Sequence, residues 1–305
     1  MLPACTPKNS LKRLHTISHH LIATTVCSGN HPAPASSPIT SRMTLSPSTQ
    51  RAPWRDILDS HLEETPGYEF TIATVGHDAQ GRPVPRVRTC GYRGFFPELE
   101  LHPKGQQAMD EMVEWGGNPS VYESDMMTFT TDVRMEKLGQ LEESGHAIEA
   151  LFWLQDVMAQ WRVKGRAYAV GNPSEDEEGE QVSRETAAKG LRMKGDANGN
   201  TTEWTWEKAV TKYFANHSPI MRGSFKAPPP GQPRSKVPDD QALGLGQKIT
   251  DLHDPVARGN FRVVIIMPEE VEQLDLSNQE DPKRWKWTLV NDQSGSHWVE
   301  TELWP

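Results

Sequence analysis

Arg86 and Arg88 stand two apart in the run VPRVRTCGY, and in an extended strand that spacing points both side chains to one face. An arginine pairs with phosphate through two parallel hydrogen bonds and keeps its charge when partly desolvated. Arg93 follows on the same stretch. A second group, Thr130, Thr131, Arg134 and Lys137, falls where MMTFTT passes into RMEKLGQLEESG. The first N–H groups of a helix lack partners and its dipole favours an anion there. The hydroxyls add donors, Arg134 and Lys137 have the spacing of about one helical turn, and Asp132 reads as the cap. Gln160 heads QWRVKGRAYAV, and its amide can both donate to and accept from the edge of a planar heterocycle. Arg284 opens RWKW, where it either adds charge beside a bound group or stacks on a neighbouring tryptophan. Each group also has an ordinary reading: a solvated strand face, a capped helix, a surface glutamine. Taken together they suit an anionic cofactor with a planar, hydrogen-bonding ring. They do not suit a metal centre or an acyl-transfer triad.

Composition narrows the classes further. The chain has 305 residues and a net charge of −9, so its overall field does not favour bulk nucleic-acid binding. No apolar run approaches the ~20 residues that span a bilayer, so no membrane partner is expected. Cys5, Cys27 and Cys90 are odd in number and widely spaced, which argues against a disulfide framework and against structural zinc. Gly244 and Gly246 lack the third glycine and the preceding strand of a dinucleotide fingerprint. The first acid is Asp56, while Lys8, Lys12, Arg13 and Arg42 sit among many Ser, Thr and Pro residues. Residues 1–50 therefore read as a disordered basic leader or tail. The same composition resembles an organelle transit peptide, which leaves a cytoplasmic or a mitochondrial location open.

The positioning elements can be placed from pattern. Pro53 and the apolar spacing of Trp54, Ile57, Leu58 and Leu62 predict a helix. YEFTIATV and VPRVRTCGY read as a hairpin, HAIEALFWLQ and QWRVKGRAYAV as a second, and RWKWTLV and HWVETELWP as a third. NFRVVIIMP is the most hydrophobic strand, with a helical turn expected to begin at Pro268. SEDEEGEQ reads as an acidic surface loop, TEWTWEKAVTKYFANH as an amphipathic helix, and residues 227–238 as a proline-rich excursion. Hairpins outnumber βαβ units, so the expected class is mainly β with peripheral helices, an antiparallel barrel. The domain is expected over 51–305, with insertions at about 97–124 and 173–257.

The order of APWRDIL, RVRTCGYRGF, FTTDVRMEKLGQL, QWRVKGRAYAVG, PPPGQPR, NFRVVIIMPEEVEQLDL, RWKW and the closing LWP resembles the flavin-binding split-barrel proteins related to pyridoxamine 5'-phosphate oxidase, in the subfamily that opens on APWR. The resemblance implies an antiparallel split β-barrel, a homodimer, and FMN at the subunit interface. It implies that Arg88 and Lys137 contact the FMN phosphate, with Thr89 beside Arg88 on the strand. It places Tyr92 and Arg93 near the cofactor, Thr130 and Thr131 after the following strand, and Arg134 in a TDxRSxK-like pattern whose serine is Met135 here. Gln160 corresponds to the glutamine that reads the flavin ring, and Arg284 to the C-terminal cofactor arginine. There are departures. Glu280, Asp281, Pro282 and Lys283 stand where the oxidase carries substrate-binding residues before that arginine, and Leu274 replaces its flavin-contacting tryptophan. The implied activity is an FMN-dependent oxidoreductase acting on an unknown small molecule, an amine or alcohol such as a vitamin B6 phosphate; a non-catalytic flavin binder or sensor is the alternative. A tetrapyrrole ligand held by His217 or His253 is the weaker third reading.

Overall fold

The computed structural model describes residues 50–65, 67, 69–112, 117–172, 178–194, 204–238, 240–293 and 295–305. These fall in one compact unit, Met43–Pro305. The basic leader, 1–49, lies outside the described residues.

Alternation in the sequence becomes alternation in burial. In β1 (Glu69–His77) Phe70, Ile72 and Thr74 turn inward, and in β5 (Ala147–Leu154) Ile148, Ala150, Phe152 and Leu154 do the same. β2 (Pro83–Phe95) pairs with β1, and β6 (Ala159–Val170) with β5. β3 (Tyr122–Glu123) is a short separate strand, while β4 (Met127–Asp132) joins β2. The long β8 (Phe261–Asp275) pairs with β6 along one edge. Its other edge takes β4 in the first half and β9 (Lys283–Asp292) in the second. β10 (Gly295–Leu303) completes the order β10-β9-β8-β4-β2-β1-β5-β6, all antiparallel. Because β6 also returns to β8, six strands form a circuit of pairings and β9–β10 stands out from it as an arm.

One cross-strand row runs Arg88, Ile72, Ala150, Val163, Val271, Trp287, each the direct partner of the next. Ile72, Ala150, Val163 and Val271 are fully buried, so this row marks the inner face, and Arg88 shares it. A bulge between Tyr92 and Phe95, with Gly94 at φ +81°, bends β2 where it meets β4.

α1 (Arg55–Glu64) packs Leu58 and the preceding Trp54 onto this core, with Trp54 edge-on to Trp298 of the arm at 5.7 Å. α3 (Glu136–Glu143) contributes Leu138 and Leu141 to it. The two insertions build a second core on the outer face. α2 (Pro103–Asp110), α4 (Glu178–Ala188), α5 (Trp206–Ala215), α6 (Pro219–Ser224) and α7 (Pro255–Asn260) surround it, and β3 pairs with β7 (Arg192–Met193). There Phe96, Tyr213, Phe214 and Phe261 pack against Val263 and Ile265 of β8.

Two expectations are corrected. No helical turn starts at Pro268: β8 runs straight through it, because a bulge against Lys164 and Gly165 lets the proline sit where the ladder is interrupted. Gly165 is required opposite, since a Cβ there would lie 2.0 Å from the Met267 carbonyl oxygen. The acidic stretch is not wholly loop either. Its end opens α4, and Glu180 is buried, ion-paired with Arg262 and accepting from the Gly171 N–H at 2.9 Å.

Candidate functional site

The inner end of β2 carries an uncompensated positive cluster. Arg88 donates to Thr74 Oγ1 at 2.5 Å and to Gln140 Oε1 at 2.8 Å. Lys137, on the first turn of α3, is buried and donates to Thr131 Oγ1 at 2.9 Å, with its Nζ 2.8 Å from Met135 Sδ. β1, β4 and α3 thus hold the two cations by neutral partners. Among the described residues neither makes an ion pair with a carboxylate. Burial lowers the pKa of both, Cys90 acting in the opposite sense on each. Cys90 stands between them: burial raises its thiol pKa while Lys137 and Arg88 pull it down. A half-desolvated pair of cations with no counter-ion is a site for an anion.

On the outer face the same strand does something different. Arg93 reaches His217, Nη2 to Nε2, at 3.4 Å, and Thr130 Oγ1 lies 2.9 Å from the same nitrogen. His217 Nδ1 faces the Tyr213 carbonyl at 2.9 Å. A carbonyl only accepts, so Nδ1 carries the proton and Nε2 accepts from Thr130 and Arg93. Burial and the positive charge of Arg93 push the imidazole down to about 4, so it is neutral. Both ring nitrogens are engaged, which corrects the reading of His217 as a tetrapyrrole ligand. Among the described residues no group of histidine, cysteine and carboxylates could hold a metal ion.

The remaining candidates are dispersed. Thr89 is exposed on the outer side of β2. Tyr92 turns into the core, its ring 5.3 Å from Phe152 and 5.7 Å from Phe70, with a buried, unpartnered hydroxyl. Arg134 lies before α3 rather than in it. It forks onto Asp132 at 2.8 and 2.6 Å and donates to the Ala227 carbonyl at 3.0 Å. Asp132 therefore binds Arg134 instead of capping the helix, whose N-cap is Met135. Gln160 and Arg284 are the two flanking partners of Leu274 in one row across β6, β8 and β9, so they share a face. Gln160 is three residues from the inward Val163, which puts that row on the face opposite Arg88. Arg284 Nε is buried without a partner.

Residues of both insertions and of β2 line a cleft of about 1520 Å³. Arg93, Tyr213, His217 and Arg222 stand in its wall. Arg222, only 4% exposed, is the functional candidate that pattern missed. It sits in a six-residue helix whose sequence signature is the capping Ser218 and the proline that follows it, neither of which points to Arg222.

Residues 51–171 match the family described as pyridoxamine 5'-phosphate oxidase, FMN-binding domain. FMN is the cofactor that this match assigns. No curated protein matches the chain. Among solved structures, a pyridoxamine 5'-phosphate oxidase-related, FMN-binding protein from Nostoc punctiforme is 19% identical, with a TM-score of 0.54 over 84% of this chain and 98% of that one. That likeness supports the mainly β, antiparallel fold. PhzG from Burkholderia lata, in complex with tetrahydrophenazine-1-carboxylic acid, is 15% identical with a TM-score of 0.42, covering 82% of this chain and 89% of that one.

Proposed function

We propose that the chain is an FMN-dependent oxidoreductase built on an antiparallel split β-barrel over residues 51–305, working as a homodimer. The observation that carries the reading is the convergence of Arg88 and Lys137 near Cys90, neither of them ion-paired with a carboxylate among the described residues. These two would hold the FMN phosphate, with Thr74, Gln140 and Thr131 fixing their heads. Bound there, FMN would supply two-electron hydride chemistry toward a small organic substrate. The residues orient and desolvate; Gln160 would read the ring edge, and the unpartnered Nε of Arg284 offers a donor to it. The row of Gln160 and Arg284 faces away from Arg88 within one chain. A second copy is the simplest way to bring the two sets to one flavin, which is why the reading includes a homodimer.

The test is direct. Protein purified from a flavin-rich host should be yellow, with FMN released on denaturation at about one per chain. Arg88→Ala with Lys137→Ala should release it while the fold persists; flavin retained as in the wild type would reject the clamp.

A non-catalytic flavin-binding role is the second reading. It is favoured by the buried, neutral state of His217 and by Glu280-Asp281-Pro282-Lys283 before Arg284. Oxygen consumption with pyridoxamine or pyridoxine phosphate separates the two: steady turnover supports the oxidoreductase, and its absence over a panel of amines and alcohols supports the binder.

A further inference from the structure

Two cationic pairs flank β2, one on each face. Arg88 and Lys137 occupy the inner side; Arg93 and Arg222 stand on the outer side, around His217. FMN has one phosphate, so it can satisfy only one pair. The second pair has the same signs of an unmet charge. Among the described residues neither Arg93 nor Arg222 makes an ion pair. Arg93 Nε and Arg222 Nη1 are buried with no hydrogen-bond partner. Arg222 donates only Nε, to the Ile249 carbonyl at 2.9 Å, and its guanidinium lies 5.9 Å from the Phe214 ring centroid. His217 beside Arg93 is neutral, so it adds no further positive charge and offsets none. Glu98 also lines the cleft, but it is drawn to Arg55 and Lys194 instead. A buried arginine left without an anion carries a desolvation cost that nothing repays. A cleft of this size leaves room for more than a simple ion.

We infer that the insertion cleft is a binding site for a small organic anion, whose acid group, a carboxylate or a phosphate ester, is held by Arg93 and Arg222 beside His217. The rest of the ligand lies along the cleft against apolar wall residues such as Leu101, Met109 and Tyr213. The inference deepens the proposed oxidoreductase by giving its substrate a charge, and it rests on that reading only in assigning the first pair to FMN.

Equilibrium dialysis of the full-length protein as purified tests it, with phenyl phosphate, benzoate and neutral benzyl alcohol as probes. FMN content is measured in the same samples. Wild type should bind one of the anions at least tenfold more tightly than the alcohol. Preference for phenyl phosphate assigns a phosphate ester, and preference for benzoate a carboxylic acid. Arg222→Gln should lose that preference and keep its FMN, while Arg222→Lys should retain part of it. Because Arg222 is buried, Met221→Glu provides a variant outside the core: Met221 is 44% exposed and lines the cleft, and a carboxylate there should weaken anion binding with the melting temperature unchanged. Equal binding of anion and alcohol, or anion binding unaffected in both variants, overturns the inference. So does loss of FMN in Arg222→Gln with its fold intact, since the outer pair would then serve the cofactor. Arg88→Ala with Lys137→Ala should lose FMN yet keep the anion, which separates failure of this inference from failure of the cofactor reading.

Discussion

Arg88 and Lys137 owe their character to what surrounds them rather than to residue type. Each is fixed by hydroxyl, amide or thioether groups, so its charge is left to an incoming anion. Hydrogen bonds to charged groups contribute about 1.5–3 kcal/mol each. Removing both should weaken FMN by at least about a hundredfold, measured as Kd by fluorescence quenching on reconstitution. His217 gives a prediction in pH. Its folded value of about 4 lies below the ordinary 6.5, so between those limits the unfolded chain takes up a proton that the folded one refuses. Its contribution is complete above pH 6.5 and is lost as the pH falls toward 4, about 3 kcal/mol in all. Urea unfolding at pH 7 and pH 4.5 should show that loss, and His217→Gln should flatten it.

At the scale of elements, Gly165 and Pro268 make one device. The bulge carries a 15-residue strand past a proline, and the glycine makes room for the opposing carbonyl. Gly165→Ala should cost about 3 kcal/mol or more through overpacking, read as a drop in the denaturant midpoint. This device also shows why the sequence was only partly legible. Period-2 patterning marks β1, β5 and β6, since each has one buried face, whereas β4 is buried on both and shows no alternation. Pro268 reads locally as a stop, and nothing within β8 itself reveals that a glycine a hundred residues earlier accommodates it. Arg88 and Lys137 could be paired on sequence only through the family resemblance, since they fall on separate predicted elements. Arg222 could not, since its burial comes from Phe214 and Ile249, which meet it only in the folded insertion. Arg134 shows the converse: its charge, open to an anion in the sequence, is shared with the neighbouring Asp132 in the fold.

For the whole molecule, a partly buried charge network clasps the sheet to its insertions. Arg192 donates to both oxygens of Asp125, at 2.6 and 2.8 Å, and to Glu123 at 2.8 Å. Asp125 also accepts from the Ala52 N–H at 3.1 Å, and Arg55 bridges Asp59 and Glu98. Arg192→Met leaves the partly buried Glu123 without its cation and Asp125 with only Arg55 at 3.6 Å, and should destabilise by about 3 kcal/mol, seen by calorimetry. The proposed dimer predicts a light-scattering mass of twice 34.2 kDa for the full chain. A monomeric mass with FMN still bound would sever the link between pairing and cofactor.

One strand, β8, is shared by the ring and by the arm. Its residues Val263 to Ile266 are fully shielded and paired on both edges, to β4 and to β6. β10, by contrast, has a single neighbour and mostly solvated side chains. In deuterium oxide the amides of β10 should label within the first minutes, while those of Val263 to Ile266 should exchange only when the entire molecule opens. The spread between those two rates would then report the global unfolding free energy from inside the native protein, with no denaturant added.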